Sequence, residues 1–150
     1  IGFGTGTLTQ KLYEHGCTVY GQDFSQRMIE LAKVKMPKAE LYQGDFTKGL
    51  VETLKQNRYD AIIATYSLHH LTDAEKVVFI ENLRPLLNDG GKIYIGDVMF
   101  GNRVQLEACK ADAGDEWDGD EIYFVVDELQ ARFPQMCFEP LSYCSGVLTL

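Results

Sequence analysis

The sequence predicts an α/β fold, a sheet sandwiched between helices and closed by a terminal antiparallel pair of strands. Three observations carry that expectation. β-Prone stretches alternate with segments of helical period through most of the chain. Ala61-Ile62-Ile63-Ala64 is apolar without alternation, the pattern of a parallel strand buried on both faces. Two short β-prone stretches near the C-terminus lie close enough to form a hairpin. A chain of 150 residues is one domain, 1–150, by length, and a domain of that size buries roughly 68–70% of the surface its unfolded form exposes. No repeat, low-complexity segment or linker divides it.

The chain opens on Gly2-Phe3-Gly4-Thr5-Gly6, a strand-to-helix turn. Thr7 to His15 follows as a helix with Leu8 and Leu12 four apart and Gly16 as its C′ residue. Cys17-Thr18-Val19-Tyr20-Gly21 is β-prone and ends at Gln22-Asp23. Ser25 is a good N-cap for a helix over Gln26–Met36, which Pro37 closes. Glu40–Gln43 is a short strand ended by Gly44-Asp45-Phe46, and Thr47 caps a weaker helix to about Asn57. Tyr59–Thr65 is the strand holding the apolar run. Thr72 and Glu75 make a capping box for a helix whose stripe is Val77, Ile80, Leu83 and Leu87, interrupted at Pro85. Asn88–Gly91 is a turn before a strand over Lys92–Val98, and Arg103–Ala111 is helical. Asp112–Glu121 holds six acids around the lone Trp117 and reads as an exposed loop. Asp127 caps a helix to Phe133, and strands over about Met136–Tyr143 and Gly146–Leu150 end the chain.

The bulk properties exclude several classes. A net charge of −8 argues against a nucleic-acid partner, because that affinity comes largely from Lys and Arg neutralising phosphates. No apolar run approaches the ~20 residues of a membrane span. The four cysteines show no C-x-x-C or metal-ligand spacing, and no metal site is expected. Cys17, Cys137 and Cys144 lie in apolar, strand-like stretches as small hydrophobes, so a reducing, cytoplasmic setting fits.

The chemistry starts at the glycines. Their backbone admits positive φ and close ligand approach, and a helix N-terminus follows. A glycine-rich turn alone is common and is also met as a purely structural feature. Asp23 adds to it: 17 residues past Gly6 and at the end of the next strand, its carboxylate suits a ribose diol. The competing roles for Asp23 are an N-cap or a solvated carboxylate, and Ser25 already fills the first. Asp45 suits an adenine amine, and the ring of Phe46 or Phe24 a flat wall for the base. G-x-G-x-x-G is not completed, since Thr7 and Thr9 stand at the third position. No G-x-x-x-x-G-K-[ST] is present. A nucleoside without a pyrophosphate is therefore preferred.

In this order, Gly2–Gly6, Asp23-Phe24-Ser25 with Met28, Gly44-Asp45-Phe46, Tyr59-Asp60 through Tyr66-Ser67-Leu68-His69-His70-Leu71, and Leu87–Gly91 resemble the successive motifs of class I S-adenosylmethionine-dependent methyltransferases. The match runs from Ile1 to about Val98 and is closest to small bacterial members. The resemblance implies a Rossmann-like, mostly parallel sheet with helices on both faces and a C-terminal antiparallel hairpin. It implies S-adenosyl-L-methionine as cofactor and a small-molecule methyl acceptor. The glycine turn (Gly2, Phe3, Gly4, Gly6) would hold the methionine portion, Asp23 the ribose, and Asp45 and Phe46 the adenine, with Phe24 and Met28 in the same group. The Ala64 backbone would contact the cofactor and Tyr66 would face the methyl group. The family's first strand, with its terminal acid, falls before Ile1. The sequence is therefore expected to be a fragment with its first strand and upstream helices missing, folding or binding the cofactor poorly alone.

No catalytic residue is named. Tyr66, His69, His70 and Asp97 are base candidates near strand ends, with His69 and His70 also readable as the start of a helix. Trp117 keeps the acidic segment in view as part of a substrate lid. The alternatives are an NAD(P)-binding oxidoreductase domain and a non-catalytic S-adenosylmethionine-binding module.

Overall fold

The computed structural model describes all 150 residues, Ile1–Leu150, and the chain divides into two compact units, Ile1–Arg58 and Tyr59–Leu150.

In the first unit the glycine turn leads into α1 (Thr7–Glu14), followed by β1 (Tyr20–Asp23), α2 (Gln26–Lys35), β2 (Glu40–Gln43), a 3₁₀ turn over Phe46–Lys48 and α3 (Glu52–Lys55). β1 and β2 run parallel, Tyr20 opposite Glu40 and Asp23 opposite Gln43, and α2 supplies the crossover that parallel pairing demands. α2 starts where expected, Ser25 Oγ accepting the Met28 N–H. α1 ends in a Schellman motif at Gly16, whose N–H goes to Tyr13 O while Cys17 N–H goes to Leu12 O. That bond spends the Cys17 amide on the helix end, so β1 begins at Tyr20 rather than at Cys17, and the Cys17 thiol is exposed. The core joins Val19, Ile29, Ala32, Met36, Ala39 and Leu41, with Phe3 and Tyr13 packed on it. Gly6 lets α1 approach α2: φ is +77°, and a Cβ there would lie 2.9 Å from Met36 Cε and 3.2 Å from Ala32 Cβ. Asp45, not Thr47, is the N-cap, and it caps the 3₁₀ turn instead of a helix to Asn57. Gln22 is fully buried. Its Oε1 accepts the Val51 N–H at 2.7 Å and its Nε2 donates to Gly49 O at 3.0 Å, which fixes the loop before α3.

The second unit contains β3 (Tyr59–Thr65), a 3₁₀ turn over Leu68–His70, α4 (Asp73–Leu83), a 3₁₀ turn over Arg84–Leu86, β4 (Leu87–Phe100), α5 (Arg103–Ala113), β5 (Phe124–Val125), α6 (Val126–Gln130), β6 (Cys137–Pro140) and β7 (Ser145–Thr149). The strand order is β3-β4-β7-β6, with β5 paired to the end of β4. β3 is parallel to β4, while β7 is antiparallel to β4 and to β6, the expected terminal hairpin. β6 is shorter than its β-prone stretch, β7 is shifted by one residue from its own, and Cys137 is exposed rather than packed.

Several local expectations are corrected here. β3 is an end strand of this sheet, so Ala61 is exposed and Ile63 half-buried instead of both faces being covered. Asn88–Gly91 is absorbed into β4 as a bulge: Tyr59 pairs with Leu87 and Ala61 with Lys92. The capping box at Thr72 and Glu75 is present, and Ile80 and Leu83 of the expected stripe are buried, joined by Lys76 and Phe79, while Val77 is half-buried and Leu87 opens β4. His69 and His70 end a 3₁₀ turn and do not begin α4. Asp127 sits in the first turn of α6, its N–H bound to Gly101 O, and makes no side-chain cap.

Two substitutions test this architecture. Thr72→Ala removes an N-cap and is expected to cost about 1 kcal/mol in urea denaturation. Gly6→Ala forces a side chain into left-handed backbone and against Met36, for an expected loss of about 2–4 kcal/mol. An unchanged urea midpoint for Gly6→Ala would show that α1 and α2 do not need the close approach.

Candidate functional site

In the first unit the turn before α1 is held by a buried carboxylate. Gly4 N–H donates to Asp23 Oδ2 at 2.8 Å, and Ser25 N–H donates to Asp23 Oδ1 at 2.9 Å. Asp23 is 4% exposed. It is therefore neither a solvated carboxylate nor the cap of α2, and each oxygen keeps a second lone pair. A Cβ built on Gly4, at φ +55°, would meet nothing within 4 Å, so the turn is open on that side. α1 carries no side-chain cap, and no side chain satisfies its first-turn amides. The β2 end is tied to the β1 end through Gly44 N–H to Asp23 O and Gln43 Nε2 to Phe24 O.

The other residues singled out in this unit divide between surface and core. Phe24 is 71% exposed, whereas Phe46 is buried, so of the two rings only Phe24 presents a face. Phe3 packs inward, its Cδ1 2.7 Å from where a Gly21 Cβ would stand, which leaves only its backbone to the turn. Met28 is half-buried. Asp45 accepts from the Thr47 N–H and hydroxyl and pairs with Lys48 at 3.0 Å. The Thr47 hydroxyl, then Lys48, hold its carboxyl below the ordinary range.

In the second unit Ala64 is buried and Tyr66 is 64% exposed. Tyr66 has φ +47°, the sole non-glycine residue with positive φ, and its N–H is held by Gly96 O at 2.8 Å. Such a conformation in a bulky residue is an outlier of the kind that clusters at functional sites.

Asp97, near the C-terminal end of β4, is 1% exposed. It accepts from Ser67 N–H at 3.3 Å, Leu68 N–H at 3.1 Å, Val98 N–H at 2.9 Å and His69 Nδ1 at 2.7 Å. Its acceptor capacity is spent, which removes Asp97 from direct contact with a ligand. The other nitrogen of the buried His69, Nε2, lies 3.4 Å from Glu121 Oε1. His70 is exposed, its ring 4.4 Å from that of His69. Ser67 Oγ is buried without a hydrogen-bond partner.

Sequence reasoning missed Glu121 and Tyr123. Glu121 belongs to a run of acids that reads as solvated, and nothing in its spacing separates it from Asp118 or Asp120. Most of the run is exposed, but Glu121 is half-buried, and Trp117 packs edge-on against Tyr123 with ring centres 5.0 Å apart. Burial, then a hydrogen bond to Glu121, push the Tyr123 phenol up to about 12.

Residues 1–93 match the family model described as "Methyltransferase domain". A protein of Anoxybacillus flavithermus, named an uncharacterized methyltransferase, is 46% identical over 113 residues, covering 75% of this chain and 52% of the relative. The chain spans about half the length of the first curated relatives it matches. The solved complex of DhpI with SAM and HEP superposes with a TM-score of 0.75 at 20% identity, over 99% of this chain and 74% of that one. Magnesium protoporphyrin IX methyltransferase from Synechocystis, solved with bound SAH, gives 0.72 at 19% identity, over 99% and 70%. These likenesses place the fold among Rossmann-like methyltransferases. With the glycine turn, the β1 carboxylate and more than half of the sequence accounted for by one family model, the chain belongs to the methyltransferase-domain family.

Proposed function

We propose that this chain binds S-adenosylmethionine and serves an enzyme that moves the cofactor's methyl group to a small-molecule acceptor by in-line displacement. The observation that carries the reading is the Gly4–Asp23 hydrogen bond, which fixes an open glycine turn beside a buried carboxylate before any ligand arrives. The uncapped α1 amides suit the carboxylate of a methionine arm. The spare lone pairs of Asp23 suit a ribose diol, the exposed Phe24 ring an adenine face, and the turn at Asp45 the edge of the base. Phe3, Gly6 and Phe46 shape this surface from the core side, and Met28 flanks it from α2. Ala64, through its backbone, and Tyr66 are proposed to serve the reacting end of the cofactor.

The chemistry asks little more than this of the chain. The sulfonium supplies an already activated carbon, and holding the reacting atoms about 3–3.5 Å apart supplies much of the acceleration. DhpI and the Synechocystis enzyme were solved with SAM and SAH respectively, which supports this cofactor over a nicotinamide dinucleotide. A small acceptor rather than a nucleic acid accords with the net charge of −8. A cytoplasmic setting is part of the proposal and is supported by four free thiols; no helix is long and apolar enough to cross a membrane.

Isothermal calorimetry with S-adenosylhomocysteine tests the reading. Wild type is expected to bind it, and Asp23→Ala to lose at least tenfold in affinity, the value of hydrogen bonds to a charged group. Phe24→Ala is expected to lose about three- to tenfold through the missing ring face while keeping its melting temperature. Binding of NAD in preference to S-adenosylhomocysteine would end the proposal.

A further inference from the structure

The acidic segment between α5 and β5 is held at both ends by contacts inside the second unit. Near its start Trp117 packs on Phe100, Leu106 and Val125, with Lys110 Nζ 5.9 Å from the centre of its ring. At its end Ile122 N–H donates to His69 O at 2.8 Å, and Ile122 O accepts from Lys76 Nζ at 2.5 Å. Lys76 is 1% exposed and pairs with Asp73 at 3.0 Å. Between these anchors lie Asp115, Glu116, Asp118, Asp120 and Glu121, with no basic residue among them. Their mutual repulsion favours lifting the segment off the surface. Of the five only Glu121 is half-buried, and its Oε1 stands 3.4 Å from His69 Nε2.

Whether that last contact holds depends on one proton. Asp97 accepts the Ser67, Leu68 and Val98 N–H groups, so it faces His69 Nδ1 as an acceptor, and Nδ1 carries the hydrogen. In the neutral ring Nε2 then presents a lone pair to the Glu121 carboxylate, two acceptors with nothing to share. In the imidazolium both nitrogens donate, and Nε2–H meets the carboxylate as a charge-assisted pair. The remaining groups around the ring do not replace that proton. Tyr123, its ring centre 6.4 Å away, has its phenol pushed up to about 12 by burial and then by Glu121. Asp118 acts on Tyr123, and Lys76 of α4 acts on Asp97. His70, on the same turn, stands edge-on to His69 with ring centres 4.4 Å apart.

We propose that His69 and Glu121 form a proton-gated latch for the acidic segment: the doubly protonated ring holds Gly114–Glu121 against the turn after β3, and the neutral ring releases it. The latch lies wholly within Tyr59–Leu150 and stands apart from the methyltransferase reading. Its closed state binds one more proton than its open state, so closing is favoured as pH falls and opening as pH rises. Asp97 is the positioning residue, since its saturated carboxylate keeps the hydrogen of the neutral ring on Nδ1 and off Nε2. Gly114 and Gly119, where a Cβ would meet nothing within 4 Å, give the segment room to lift while Ile122 stays tied to His69 O and Lys76. Lifting draws Trp117 away from the Tyr123 ring, 5.0 Å from it in the closed state, and uncovers the Nε2 edge of His69.

Trp117 is the sole tryptophan of the chain, so its quenching by acrylamide reports on this segment alone. Across about pH 5 to 9, the range that brackets histidine ionisation, wild type is expected to show one single-proton step. Quenching should be about twofold stronger on the alkaline side, where the segment has opened locally. Glu121→Gln places an amide N–H against the neutral Nε2 and is expected to stay weakly quenched throughout. Glu121→Ala is expected to be strongly quenched throughout, while Asp120→Asn and His70→Gln keep the step. Long-range proton–nitrogen NMR spectra should show His69 as the Nδ1–H form on the alkaline side, with its protonation following the quenching step. Quenching that ignores pH in wild type, a step that survives in Glu121→Gln or disappears in His70→Gln, or equal quenching of the Gln and Ala variants would each overturn the latch. So would an Nε2–H ring on the alkaline side, or a loss of far-ultraviolet circular dichroism that accompanies the step and marks general unfolding.

Discussion

Buried carboxylates at strand ends organise both halves of this chain. Asp23 and Asp97, 4% and 1% exposed, each sit where a parallel ladder ends: Asp23 closes β1, and Asp97 follows the last β3–β4 pair, Thr65 with Gly96, while β4 runs on to Phe100. An ionised carboxylate withdrawn from water is costly unless it is paired or hydrogen-bonded. Here the compensation comes from main-chain amides: Gly4 and Ser25 for one, Ser67, Leu68 and Val98 for the other. Hydrogen bonds to charged acceptors contribute about 1.5–3 kcal/mol each. The same bonds dictate the shape of the loops that donate them. A strand tip thereby converts a solvation problem into a fixed turn, and fixed turns at the C-terminal ends of strands are where α/β proteins hold ligands.

The two carboxylates differ in what they leave over. Asp23 keeps lone pairs beside an open backbone, which suits recognition of hydroxyl groups. Asp97 is saturated, its last acceptor position taken by the His69 ring. Such a division separates a carboxylate with acceptor capacity to spare from one that is saturated, although both are built from the same device. The two compact units need not share a chemical task for this logic to hold within each of them.

Much of the fold was legible because its signals are local. The Gly16 ending of α1, the Ser25 cap and the Thr72–Glu75 box are decided within a few residues, and the structure contains all three. The parallel character of β3 and the terminal hairpin followed from pattern and proximity. What escaped depends on partners distant in sequence. Gln22 is buried because Val51 and Gly49 supply its bonds, and Lys76 because Ile122 and Asp73 do. Composition gives no warning of either. The same holds at the candidate site: the glycines and Asp23 were readable, but not that Phe46 turns inward while Phe24 turns out, nor that one glutamate in an acidic run lies against a buried histidine.

Tyr66 shows what this arrangement costs in robustness. Its left-handed backbone carries a penalty of about 1–2 kcal/mol that glycine would not incur. A search for sturdier variants would thus be drawn to this position and rewarded there. It would also strip away the exposed phenol ring that follows the tip of β3, so backbone relief and the aromatic surface pull this one residue in opposite directions.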